Sequence, residues 1–163
     1  MQVRKDAGLS TALRKVIDEV KAHKLAVGWG ENQRYPDTNI PIAGIAAQNE
    51  FGNTKNNIPP RPFMRPAMRE NGNKWVKTLS KLVSNAMSGG GQIVDAFETT
   101  GLMVAADVRK AIKAVTSPAL KTATVKARLR GKKQGKSVSL TIAKPLVDSG
   151  VMLNSVTSEV QTK

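Results

Sequence analysis

The chain is 163 residues long with a formal net charge of +14, one histidine and no cysteine. This length suits a single domain with a modest core. The lack of cysteine excludes disulfides, thiol nucleophiles and thiolate metal sites, and His23 alone leaves little for a zinc site or a catalytic triad.

In chain order, Met1-Gln2-Val3-Arg4-Lys5-Asp6 shows no apolar signal region, and no apolar run is long enough to span a bilayer. Synthesis in the cytoplasm without a membrane partner is the expectation. Leu9, Leu13, Val16, Ile17 and Val20 recur at helical spacing and predict an amphipathic helix from about 9 to 23. Lys24 to Gly30 reads as a short strand ending in glycines, and 31–39 as a loop around Tyr35-Pro36-Asp37. Pro41 fits the first turn of a helix that runs to about Phe51, with Gly52 as its terminator.

A proline-rich arm follows at 53–66. In Ile58-Pro59-Pro60-Arg61-Pro62-Phe63-Met64-Arg65-Pro66, each proline fixes φ and lacks an N–H, so the stretch from Ile58 to Pro62 suits neither a sheet nor a helix interior. A stiff arm of this kind delivers Phe63 and two guanidinium groups to set positions. Phe63, Ala67, Met68, Trp75, Leu79, Leu82, Val83 and Ala86 then predict a helix from about 63 to 87, with Asn71-Gly72-Asn73 as a place to kink or split. Ser88-Gly89-Gly90-Gly91 breaks the chain. Ile93, Phe97, Val104, Val108, Ile112 and Val115 mark the next helix, which ends before Pro118. Two long helices across a short glycine turn suggest an antiparallel hairpin.

Residues 119–144 form a basic segment, expected to begin as helix and to become mobile around Gly131-Lys132-Lys133-Gln134-Gly135-Lys136. No carboxylate occurs between Asp107 and Asp148, whereas eleven lysines and arginines do, so the positive charge is regional. Lys126, Arg128, Arg130, Lys132, Lys133 and Lys136 are its contact candidates. They would be solvated, meet DNA phosphates without base readout, or face an acidic protein. Residues 154–162 alternate as a strand able to pair with the one near Val27. Two strands are marginal alone, so a third strand or strands from neighbouring subunits would complete the sheet.

Chemistry finds little footing in this sequence. Ser88-Gly89-Gly90-Gly91-Gln92 precedes a helix but lacks the lysine-serine or lysine-threonine ending of a phosphate loop. Gly28-Trp29-Gly30 lacks the third glycine of a dinucleotide fingerprint. The carboxylates are scattered, His23 suits a helix C-terminus, and Asp148-Ser149-Gly150 suits a turn. No catalytic residue, cofactor or metal is assigned. Arg61 and Arg65 are either solvated, paired with a carboxylate such as Glu50, or a rigid hook for a neighbour, since the arginine fork suits interfaces. Phe63 and Trp75 suit the core, with Trp29 or Tyr35 partly at a contact.

Three pieces, in order, resemble the neck and tail-completion proteins of tailed bacteriophages. The first is Val27-Gly28-Trp29-Gly30 with Tyr35-Pro36-Asp37 and Ile42-Ala43-Gly44-Ile45-Ala46-Ala47. The second is Asn49-Glu50-Phe51-Gly52 with Ile58-Pro59-Pro60-Arg61-Pro62-Phe63. The third is Pro145-Leu146-Val147-Asp148-Ser149-Gly150 with Met152-Leu153-Asn154-Ser155-Val156. The lysine-rich stretch 119–143 departs from the pattern by lacking a proline-rich approach. The resemblance implies a non-enzymatic virion protein forming a six- or twelve-fold ring in the neck. Its partners would be portal or adaptor proteins and tail-terminator or tail-tube proteins, with non-specific contact with passing DNA. Arg61, Phe63, Arg65, Trp29 and Tyr35 would serve the subunit interface. The alternatives are a tail terminator, a minor tail protein or a basic nucleic-acid-binding protein. The expected fold class is α+β, helix-rich, with the helical hairpin packed on a small sheet.

Overall fold

The computed structural model describes residues 3–36, 38–133 and 144–162, with side chains left undescribed at 3–10, 12 and 131–133. Among the described residues the fold is helix-rich with one small sheet, an α+β class. Its helices are α1 (Val3–Ala22), α2 (Ile42–Phe51), α3 (Met64–Met87), α4 (Ile93–Ala114), α5 (Thr122–Lys133) and the short α6 (Val151–Asn154). Strands β1 (His23–Gly28) and β2 (Thr157–Thr162) pair as an antiparallel ribbon, the pairing expected between the strand near Val27 and the alternating segment 154–162. Contacts gather into two compact units. Unit 1 comprises Met1–Val27, Asn73–Val104 and Ser158–Lys163, and unit 2 comprises Gly28–Gly72 and Ala105–Thr157.

In unit 1 the apolar stripe of α4 supplies the buried residues Ile93, Ala96, Phe97 and Val104. Gly101 belongs to the same stripe. A Cβ there would sit 2.8 Å from both Leu25 Cδ1 and Ser158 Cβ, so the missing side chain lets the ribbon lie directly on the helix. His23 stacks on Phe97 at 5.6 Å between ring centroids, and its Nδ1–H donates to the Glu19 carbonyl at the end of α1 over 2.7 Å. The ring therefore sits at the C-terminal end of α1, the place the sequence suggests for it. α1 starts six residues earlier than its apolar spacing predicts. Its Leu13 and Ile17 are exposed, while Val16 and Val20 are half-buried.

In unit 2 the core joins Ile42 and Ala46 of α2, Phe63 and Ala67 around the start of α3, and Val108 and Ile112 of α4. Leu146, Val147, Met152, Leu153 and Val156 complete it. Gly150, at φ +80°, turns the chain into α6, which delays β2 to residue 157.

Asn71-Gly72-Asn73, read as a place to kink or split, does not split the helix, since α3 runs unbroken from Met64 to Met87. The Asn71 amide donates to the Ala67 carbonyl one turn back over 3.1 Å. One glycine costs a helix only about 1 kcal/mol relative to alanine, too little to split so long an element. Met68, expected on the apolar face, is 60% exposed. Gly131, Lys132 and Lys133, expected to be mobile, end α5, whose alanine, leucine, lysine and arginine content favours helix. Lys136 and residues 134–143 lie outside the described residues.

Candidate functional site

The proline arm is built around one buried carboxylate. Glu50, 4% exposed near the end of α2, accepts from the backbone N–H of Phe63 (2.7 Å) and Met64 (2.9 Å) through Oε2. Through Oε1 it accepts from the Arg65 N–H (3.2 Å) and Arg65 Nε (2.8 Å). The N–H groups of a helix's first turn have no partner within the helix, and an anion placed there also meets the positive end of the helix dipole. Here Pro62 and Pro66 bring no N–H, and Glu50 takes the donors of the three residues between them. The arm is thereby fastened to α2 by a cap contributed from another helix.

The backbone around that cap is equally constrained. Arg61 N–H donates to the Asn49 carbonyl (2.7 Å), and Arg65 Nη2 to the Glu50 carbonyl (3.1 Å). Asn53 and Ile58 exchange N–H to carbonyl bonds of 2.8 and 2.9 Å, closing a loop that contains the 3-10 turn Thr54–Asn56. Gly52 starts this loop at φ +79°, where a Cβ would meet Pro60 N at 2.9 Å and Ile58 O at 3.0 Å. Only glycine meets both demands. Burial alone would raise the Glu50 carboxyl, but the bond from Arg65 and those from the three backbone N–H groups outweigh it. Its pKa is held below the ordinary value.

The five residues assigned to a subunit interface separate in the structure. Phe63 is 1% exposed, with its ring edge-on to Trp29 at 5.8 Å. Arg61 is 7% exposed and donates to the carbonyls of Pro118 (2.8 Å) and Ala119 (3.2 Å). Burial, and then the nearby Arg128 charge, lower its pKa. These two side chains hold the unit together from inside, so in this conformation neither is presented as a hook. Arg65 pairs with Glu50, yet its side chain stays 60% exposed and lies over the Phe51 ring at 5.1 Å, within cation–π range. Trp29 is half-buried, with Nε1 donating to the Met152 carbonyl over 2.8 Å. Tyr35 is half-buried beside a polar hollow of about 200 Å³, also lined by Asn49, Arg128 and Asp148. Burial, then the Asp148 charge, raise its hydroxyl pKa.

Phe51, Phe63, Met64, Arg65 and Trp29 surround a second hollow, an open groove of about 240 Å³ floored by Ala43, Ala46 and Ala47 of α2. Those alanines and Glu50 recur at three- and four-residue spacing, which puts them on one helix face. The sequence shows the small-residue run but not its use, because a groove forms only once the arm folds back beside α2.

In the basic segment, Arg128 is not a surface contact. With its side chain 11% exposed, it donates to the carbonyls of Lys144 (2.9 Å), Val147 (3.4 Å) and Pro145 (3.4 Å), and it pairs with Asp148 at 3.3 Å. Irregular backbone at 144–148 needs such donors, and a guanidinium supplies several at once. Lys126 and Arg130 are exposed. Lys132 and Lys133 are placed on α5 without described side chains, and Lys136 lies outside the description. Among the described residues, no group of three histidine, aspartate or glutamate side chains could hold a metal ion, and no helix is long and apolar enough to cross a membrane.

Compared with known protein families, curated proteins and solved structures, the chain matches none of them.

Proposed function

We propose that this chain is a structural, non-enzymatic virion protein of a tailed phage, part of a neck ring that completes the tail and joins it to the head. One observation carries the reading beyond resemblance in sequence. Residues of all three pieces that resemble neck and tail-completion proteins, far apart in the chain, meet in unit 2. Trp29 of the first piece donates to the Met152 carbonyl of the third and packs edge-on against Phe63 of the second. Asn49 of the second lies 3.9 Å from the Met152 sulfur. Pieces that share a packing centre support a common structural role.

In this proposal the α3–α4 pair packs as an antiparallel hairpin that serves as scaffold, and the arm with its groove is the docking face. The contact with a neighbouring protein of the neck falls on Arg65, Trp29 and Tyr35, with Arg61 and Phe63 fixing the arm's position from within. Head-to-tail contacts whose rotation closes make a ring, and repetition around it strengthens individually weak contacts. The deciding experiment is electron microscopy of lysates from a phage lacking this gene. Filled heads and finished tails lying apart are expected, and joined particles would overturn the assignment.

A further inference from the structure

The groove beside the arm has a wall chemistry that specifies its occupant. Its floor and sides are apolar: Ala43, Ala46, Ala47, Trp29, Phe63 and Met64. Its rim carries Phe51, 67% exposed, and the Arg65 guanidinium stacked on that ring. Between Ile40 and Arg69 the sequence holds Lys55, Arg61, Arg65 and Arg69 against one carboxylate. That carboxylate is Glu50, which is buried and engaged by the N–H groups of the arm. The outward charge of this segment is therefore positive, with Lys55, Arg65 and Arg69 all exposed.

A second copy of this chain is a poor fit, because it carries 26 lysines and arginines against 12 aspartates and glutamates and would on balance bring cations against Arg65. A nucleic acid strand is a poor fit as well. The groove wall is almost wholly apolar, and the Trp29 N–H is already given to Met152.

We infer that this groove binds an acidic segment of a partner protein. A bulky apolar side chain of that segment sits over the α2 alanines, and an adjacent carboxylate meets Arg65. The apolar anchor supplies burial, and the flanking carboxylates supply orientation and faster encounter with a chain of this charge. The inference rests on the arm being a docking element, but its test needs no particles.

The full chain is titrated into a fluorescein-labelled peptide, Glu-Asp-Leu-Phe-Asp-Glu, and anisotropy is read at moderate salt. Saturable binding is expected. Ala47→Leu, which fills the groove from an exposed helical position, should abolish it while the circular dichroism spectrum stays that of the parent. Arg65→Ala should weaken it roughly tenfold, the scale of one lost charge-assisted contact. Four results would each overturn the inference: no binding to the parent chain, equal binding to Ala47→Leu, equal binding of a peptide with Leu and Phe replaced by Ala, or equal binding of one with Asn and Gln in place of the acids. Displacement of the peptide by oligothymidylate from the parent, but not from Ala47→Leu, would assign the groove to nucleic acid instead. Peptide binding with joined particles in the gene-deleted phage would retain the groove's partner class and remove the neck role. Failure of peptide binding with separated heads and tails would do the reverse.

Discussion

Glu50→Ala tests whether one buried carboxylate fastens the proline arm. The substitution removes an acceptor used by three backbone N–H groups and one guanidinium nitrogen. Arg65 recovers its solvation, because its side chain is 60% exposed, so its share of the loss is small. The Phe63 N–H lies in a buried environment and recovers little. An orphaned buried donor costs about 1–3 kcal/mol, and a lost helix cap typically costs about 1 kcal/mol. The expected destabilisation is therefore about 3 kcal/mol, while Arg65→Ala should cost less than about 1 kcal/mol. Urea unfolding followed by circular dichroism measures both. Equal losses in the two variants, or less than about 1 kcal/mol for Glu50→Ala, would refute the capping argument. The same group predicts a pH dependence. Its folded-state pKa lies below its unfolded value, so the contribution is fully present above the unfolded pKa and is lost as pH falls through the folded pKa. Glu50→Gln should flatten stability across that acid window, and an unchanged acid limb would count against the assignment.

Gly52→Ala combines a left-handed φ with a 2.9 Å approach to the Pro60 backbone, so a loss of about 2 kcal/mol is expected, read as a lowered melting temperature. An unchanged melting temperature would contradict the loop geometry. Arg128→Ala should destabilise markedly by freeing the 144–147 carbonyls, whereas exposed Lys126→Ala should shift the melting temperature little. Similar effects from the two would restore Arg128 to the surface. Gly101→Ala gains about 1 kcal/mol of helix propensity, but its Cβ meets Ser158 Cβ at 2.8 Å. Net destabilisation is expected, and a stabilised variant would show that the ribbon can shift away from α4.

Local periodicity made most of the elements legible. The stripe from Ile93 to Ile112 is the buried face of α4, Gly52 ends α2, and the final alternation pairs with the strand near Val27. The sequence also allowed a Glu50–arginine pair, and Arg65 forms it. What it could not show was the direction of long polar side chains. Arg61 and Arg128 look like surface cations in a one-dimensional count, but they point inward because irregular backbone at 118–119 and 144–148 presents carbonyls that need donors. The division into two units was equally hidden, since it depends on contacts between segments far apart in the chain. The exposed Leu13, Ile17 and Met68 show the opposite limit, where apolar spacing is present without burial.

The arginines that turn inward bear on how this protein meets a common denaturant. Arg61 and Arg128 donate to main-chain carbonyls at Pro118, Ala119, Lys144, Pro145 and Val147, fastening loops that no ladder secures. Dissolved guanidinium ion has the same donor geometry as these side chains and can take their places at the same oxygens. Urea presents a similar pair of N–H groups but without the charge that strengthens their bonds. The loops of unit 2 should therefore loosen in guanidinium chloride ahead of the helices, while in urea they should part together with them.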